Sequence, residues 1–214
     1  SVKAQIECAT ACCKMQEEVW QNAEVDALYK LADAGVRVPT PYICFEGVLL
    51  MDLVSTADGQ VAPRLNDVSL SYAQALVYHE ELIQQVVLML CAGIIHGDLS
   101  EFNILLNEQG PVIIDLPQAI NAAGNMGAAA MLYRDVDNLK NYFSQFAPEL
   151  AKTQYGKEIW NLYVAGLLRP DTVLTGIVAE DKRPVDVGAV IEEIELARME
   201  AEEEAQRRLV NSAL

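Results

Sequence analysis

The chain has 214 residues, of which 52% are hydrophobic, and its 31 acidic and 15 basic residues leave a net charge of −16. That length allows one sizeable domain or two small ones, and the apolar content is too high for a disordered chain. The charge argues against a general nucleic-acid binder, which needs a basic face to displace counterions, and implies that an anionic ligand would need a metal counter-charge.

Val19, Ala23, Leu28 and Leu31 recur at helical spacing and predict a helix over 5–34, stopped by Gly35, Pro39 and Pro41. The stretches "YICFEG" and "VLLMDLV" predict two short strands joined by a tight turn at Glu46-Gly47. A polar loop broken by Gly59 and Pro63 leads to a long helix over 71–92. Ala75, Leu76, Leu82, Ile83, Val86, Val87 and Leu90 form its buried side. The longest apolar run, 86–95, is about half the length a membrane span requires. The start "SVKAQIECAT" lacks the basic stretch and apolar core of a secretory signal.

Further on, "NILL" and "PVIID" predict a hairpin turning at "NEQG", with Asp115 leaving its second strand. The segment "NAAGNMGAAAML" reads as irregular, and "DVDNLKNYFSQF" as an amphipathic helix over 135–146 capped by Asp135. Two more helices are expected, one around "EIWNLYVAGLL" and one over 186–208 with Val190, Ile191, Ile194, Ala197 and Ala201 on one face. The five cysteines are odd in number, scattered and without a CxxC pair, which fits free thiols in the cytoplasm. Cys8, Cys12 and Cys13 read as helix-packing thiols rather than a metal site. The layout is a single, mostly helical α+β domain with a small strand pair near its start.

The chemistry concentrates in "HGDLSEFNILL", residues 96–106, and "PVIIDLPQ", residues 111–118. Phosphoryl transfer needs a group that accepts or orients the attacking hydroxyl's proton, and hard oxygen ligands for the Mg²⁺ on the nucleotide phosphates. Asp98 suits the first role; Asn103 and Asp115 suit the second. The spacing His96-x-Asp98-x-x-x-x-Asn103 is that of the protein-kinase catalytic loop, and Asp115 occupies the place of the metal aspartate. Asp and Asn are also common in turns, and a lone histidine is more often a core residue than a ligand. Three such groups beside strongly apolar strands would be costly without a purpose, which favours a catalytic site.

"HGDLSEFN", "IIDLPQ" and "RDVDNLKNYF" at 134–143, with the preceding "EVWQNAEVDALYKLADAGVRVPTP", resemble the RIO family of atypical serine/threonine protein kinases over roughly residues 17–146. With "APRLND", the pattern is most similar to the bacterial branch. The resemblance implies a kinase-like C-lobe at 55–214 and a remnant of the N-lobe at 1–54, comprising its helix and hinge strand pair. It implies ATP and Mg²⁺ as cofactors and a protein substrate that the residues leave undefined. Asp98 would be catalytic, and Asn103 and Asp115 would bind Mg²⁺. Asp115 would also accept a phosphoryl group, making the family as much ATPase-like as kinase-like. Glu24 would pair with the ATP-binding lysine, backbone groups near Met51, Asp52 and Val54 would meet adenine, and Asp135 would brace the catalytic loop from beneath.

RIO kinases place a glycine-rich phosphate loop and a strand lysine before this helix. Here the first glycine is Gly35, and Lys3 and Lys14 read as surface residues. The expectation is therefore a fragment with weak or no turnover alone. Two alternatives are an idle pseudokinase or scaffold, and a small-molecule phosphotransferase of the aminoglycoside or choline kinase type. The "DLPQ" sequence and the short span from Asp115 to Arg134 argue against the second.

Overall fold

The structure, a computed structural model, describes residues 23–45 and 48–178. Residues 5–22 of the first expected helix, Cys8, Cys12, Cys13, Lys3, Lys14, the Glu46-Gly47 turn and the helix expected over 186–208 lie outside the described residues. Helix α1, residues 23–33, buries Ala27, Leu28 and Leu31 and ends at Gly35, whose φ of 79° suits a residue without a Cβ. Strands β1 (Pro41–Phe45) and β2 (Val48–Met51) pair antiparallel, with Cys44 opposite Leu49. The second strand is shorter than the sequence suggests, because Met51 already faces Pro41 at the end of the ladder and Asp52-Leu53-Val54 run on outside it.

Helix α2 (Tyr72–Cys91) is the central element. It starts with a capping box, in which the Gln74 amide donates to Ser71 Oγ at 3.3 Å and the Ser71 amide donates to Gln74 Oε1 at 3.0 Å. It buries Ala75, Leu82, Ile83, Val86, Val87 and Leu90 as the periodicity predicts, and also His79 and Gln85. Gly93, at φ 76°, stops it and releases the chain into β3 (Ile94–Ile95). This strand pairs antiparallel with β6 (Ile120–Asn121). Between them, β4 (Ile104–Asn107) and β5 (Gly110–Ile113) form the expected hairpin around Glu108-Gln109. Every residue of β5 is buried.

One residue fastens this hairpin to the rest. Arg37 accepts from the Ile113 amide at 2.8 Å through its carbonyl, and its own amide donates to Gln85 Oε1 at 2.7 Å. Its guanidinium donates to the Gln109 carbonyl and to Asn107 Oδ1. The exit of α1, helix α2 and the hairpin are thus joined at one residue, through its backbone to Gln85 and Ile113 and through its side chain to the turn. On the other side, the Leu106 amide donates to the Pro63 carbonyl at 2.9 Å and the Ala62 amide to the Val54 carbonyl at 3.0 Å. These bonds anchor the segment that follows β2 against β4.

Helix α3 (Ala128–Phe143) corrects the sequence reading in two ways. It begins seven residues before Asp135, inside the stretch read as irregular, because Ala128 to Ala130 propagate a helix easily once Gly127 starts it. Asp135 is therefore no cap but a buried residue within the helix, 2% exposed. Helix α4 (Tyr155–Val164) follows, somewhat earlier than expected. The Tyr142 hydroxyl of α3 donates to the buried Leu65 carbonyl at 2.8 Å. Removing it in Tyr142→Phe leaves that carbonyl unsatisfied and should lower the unfolding free energy by about 1–3 kcal/mol. Urea unfolding checks this, and an unchanged midpoint would show that water replaces the hydroxyl.

Candidate catalytic and metal site

The chain leaves buried β3 at His96, which is 1% exposed, and turns sharply through Gly97 and Asp98. The Asp98 amide can only donate, and it points at His96 Nδ1 at 3.3 Å, so the ring proton resides on Nε2. Nε2 in turn donates to the Ile114 carbonyl at 3.1 Å. Burial lowers the imidazole's pKa, against the smaller opposing effects of the Ile114 carbonyl and of Asp98 and Asp115, so the ring works as a neutral link. It joins the loop bearing Asp98 to the strand end bearing Asp115.

Asn103 stands at the start of β4, across the turn from Asp98. Its Nδ2 donates to the Asp98 carbonyl at 2.9 Å and approaches Asp98 Oδ2 at 3.5 Å. Both neighbours are acceptors, so the amide orientation is settled and Oδ1 faces away from them, available as a hard oxygen ligand. Ile114 N donates to the Asn103 carbonyl at 3.0 Å, which sets Asp115 beside Asn103 at the open end of the hairpin. Asp115 is exposed and, at φ 67°, is the one non-glycine residue in the left-handed region among the described residues. Such strain persists where surrounding structure imposes it, and it gathers at functional sites. One carboxylate and one amide oxygen, the carboxylate exposed, fit what Mg²⁺ takes from protein.

Glu24 on α1 lies close enough to feel this centre. Burial, and then the neighbouring charge of Asp115, raise its carboxyl pKa. A cation between the two would relieve that repulsion. Met51, Asp52 and Val54 belong to the end of β2 and the segment after it. The Asp52 amide donates to the Thr40 carbonyl at 2.9 Å, and its carboxylate accepts from the Tyr42 hydroxyl. The Val54 carbonyl accepts from Ala62. No described hydrogen bond joins these three residues directly to Asp98, Asn103 or Asp115.

The catalytic loop owes its shape to one face of α3. The Asp135 carboxylate accepts from the Gly97 amide at 2.8 Å and the Leu99 amide at 3.0 Å. Arg134 donates to the Gly97 carbonyl, and Asn138 Nδ2 donates to the Leu99 carbonyl at 3.0 Å. The bracing role expected of Asp135 is therefore present, with Arg134 and Asn138 as partners that composition and spacing alone did not single out. Their signal in the sequence is an Arg-Asp pair followed one turn later by Asn, three polar groups on the loop-facing side of an otherwise amphipathic helix. Gly97 itself, at φ 82°, faces the metal strand's continuation: an added Cβ would stand 2.5 Å from the Gln118 carbonyl oxygen.

Two tests follow from this geometry. Gly97→Ala combines a strained backbone with a backbone clash and should cost about 1–3 kcal/mol or more of stability. A variant that unfolds like the parent would show that the two loops yield to each other. Burial pushes the Asp135 carboxyl up to about 6 from its ordinary 3.8, against the pull of the two amides and Arg134. The folded chain then binds an extra proton between those values, so this residue's contribution to stability falls as pH rises from about 4 to 6. Relative to Asp135→Asn, the parent should lose about 2–3 kcal/mol across that window. Parallel pH profiles of unfolding for the two proteins would contradict it.

With the site in place, comparison with known proteins is direct. The RIO domain family model matches residues 4–156. The chain is 36% identical over 125 residues to the RIO-type serine/threonine-protein kinase Rio1 of Haloferax volcanii, covering 58% of this chain and 41% of that protein. It is 34% identical over 131 residues to the protein of the same name from Thermoplasma acidophilum, covering 61% and 67%. It is 31% identical over 140 residues to the probable serine/threonine-protein kinase RIO1 homolog of Encephalitozoon cuniculi, covering 63% and 34%. The chain thus spans less than half the length of two of these relatives and two thirds of the third. A family match over most of the chain, reaching across α1, the His96–Asp115 loops and the bracing helix α3, means that this chain belongs to the RIO domain family.

Proposed function

We propose that the protein catalyses ATP- and Mg²⁺-dependent phosphoryl transfer to a hydroxyl of a protein substrate. Asp98 orients the hydroxyl and takes its proton. Asn103 Oδ1 and the Asp115 carboxylate hold the metal, which when bound neutralises charge on the transferring phosphate. The observation that carries this reading is the pairing of Asp98 with Asn103 across one turn, beside an Asp115 held at positive φ. That arrangement sets a proton acceptor and two hard oxygens side by side. The same intact trio speaks against an idle scaffold, since a scaffold has no need to hold Asp115 in a strained conformation.

Adenine would dock along the segment after β2. The Asp52 amide and Val54 carbonyl are used internally, which leaves the Asp52 carbonyl and Val54 amide as its partners. Glu24, raised by burial and by Asp115, is suited to receive the ammonium group of an ATP-binding lysine. Asp115 is exposed enough to act as a phosphoryl acceptor as well. In that step a carboxylate oxygen attacks the γ-phosphorus, the bond to the β-phosphate oxygen breaks, and ADP leaves with the electron pair. Water or the substrate hydroxyl then releases the phosphoryl group. Cys44 and Cys91 are both free thiols, in keeping with a cytoplasmic setting. No described helix is long and apolar enough to cross a membrane.

Asp98→Ala in the intact gene product should lower kcat by about 10²–10⁴-fold while leaving ATP affinity nearly unchanged. Asp115→Asn should remove both the Mg²⁺ dependence of ATP binding and any hydroxylamine-sensitive phosphoprotein. Calorimetric titration of ATP with and without Mg²⁺ decides the metal assignment. An affinity indifferent to Mg²⁺ and to Asp115 would sink it.

A further inference from the structure

A cavity lies away from the catalytic loops, between the middle of α2, the start of α4 and the loop at 171–174. Its volume is about 610 Å³, within the range of small-molecule sites, and none of residues 96–118 lines it. Its wall is built rather than incidental. The loop is tied at one end by Gln84 Nε2 donating to the Pro170 carbonyl. At the other end Glu158 accepts from the Thr175 amide at 2.9 Å and the Gly176 amide at 2.7 Å. Gly176 lets the chain lie against the Tyr155 ring, where an added Cβ would meet Cζ at 2.9 Å. The span between these ties bridges the cavity.

The lining combines a buried neutral histidine, which reports on the cavity, with the charge that selects a ligand. The first is His79, 2% exposed, wedged between Phe143 and Tyr155 with ring centroids 5.6 Å from each, and with no hydrogen-bond partner for its buried Nε2 among the described residues. Burial pushes this imidazole down to about 4, so it is neutral at physiological pH. The second is charge. Glu80 and Asp171 stand in the lining, while no described lysine or arginine does. Leu76, Ile83, Leu174 and the Tyr155 ring supply the apolar remainder. A carboxylate-bearing lipid or metabolite would meet two like charges there; an ammonium would meet two opposite charges and an aromatic face.

We propose that this cavity is a binding site for a small organic amine with an aromatic or branched apolar body. The body lies on Leu76, Ile83 and Tyr155, and the ammonium group faces Glu80 and Asp171. The site is independent of the phosphoryl-transfer reading, since it shares no residue with it.

The test uses the full chain and two probes with the same phenyl ring and two-carbon spacer, phenethylamine and 3-phenylpropionate. The His79 ring and Ile83 methyl resonances are followed by NMR during titration. Phenethylamine should shift both signals saturably, and 3-phenylpropionate should bind at least tenfold more weakly. Glu80 and Asp171 are exposed, so Glu80→Gln with Asp171→Asn should fold like the parent and weaken the amine at least tenfold. Equal binding of the two probes, unchanged amine affinity in the double variant, or the absence of any shift at His79 and Ile83 overturns the proposal.

Discussion

A loop that must present a catalytic carboxylate cannot be held by its own backbone, because its amides have no strand or helix to pair with. Here the buried carboxylate of Asp135 accepts two of those amides, from Gly97 and Leu99, while Arg134 and Asn138 take the adjacent carbonyls. Four polar contacts from one helix face fix the two loop residues that flank Asp98, Gly97 and Leu99. A buried polar network of this kind is stable only when its members are satisfied, and losing one member leaves a buried donor exposed to no partner. The position of Asp98, and through it that of Asn103, depends on this bracing.

The metal side of the site hangs from the same frame by a different link. His96 ties the Asp98 amide to the Ile114 carbonyl, and Ile114 returns a hydrogen bond to Asn103. Asp115 follows at positive φ, with the Gln118 carbonyl seated where Gly97 has no side chain. The result is an acidic centre assembled by neutral connectors, in a protein already carrying a net charge of −16. Such a centre attracts divalent cations and, without them, repels nucleotide phosphates. The carboxyl of Glu24, raised first by burial and then by Asp115, carries part of that repulsion inside the protein itself.

The hairpin around "NEQG", the long helix after Ser71 and the end of α1 at Gly35 were legible because each rests on local chemistry: apolar alternation, a capping box, a residue free to take positive φ. The reading failed where local signals conflict. Asp135 follows a run rich in Gly and Ala and looks like a cap, yet Ala128 to Ala130 start the helix earlier and leave it in the interior, facing Gly97 and Leu99. The strand after Glu46-Gly47 reads as long as its apolar run, but a ladder ends where its partner ends, at Pro41. His79 and Gln85 sit among apolar positions of α2 and show no sign in the sequence of their separate tasks. One lines a cavity and the other receives the Arg37 amide.

By itself the sequence determined the residue types and spacings of the proposed reaction centre, since phosphoryl transfer needs a proton acceptor and hard oxygens, and these are close together in the chain. It determined the family for the same reason. Only the tertiary structure decided which side chains hold that centre. Arg134, Asp135 and Asn138 act across more than thirty residues, on backbone amides whose need for partners is invisible until the loop is folded. The cavity beside His79 was likewise decided by folding, because it exists only where α2, α4 and the tethered loop at 171–174 come together.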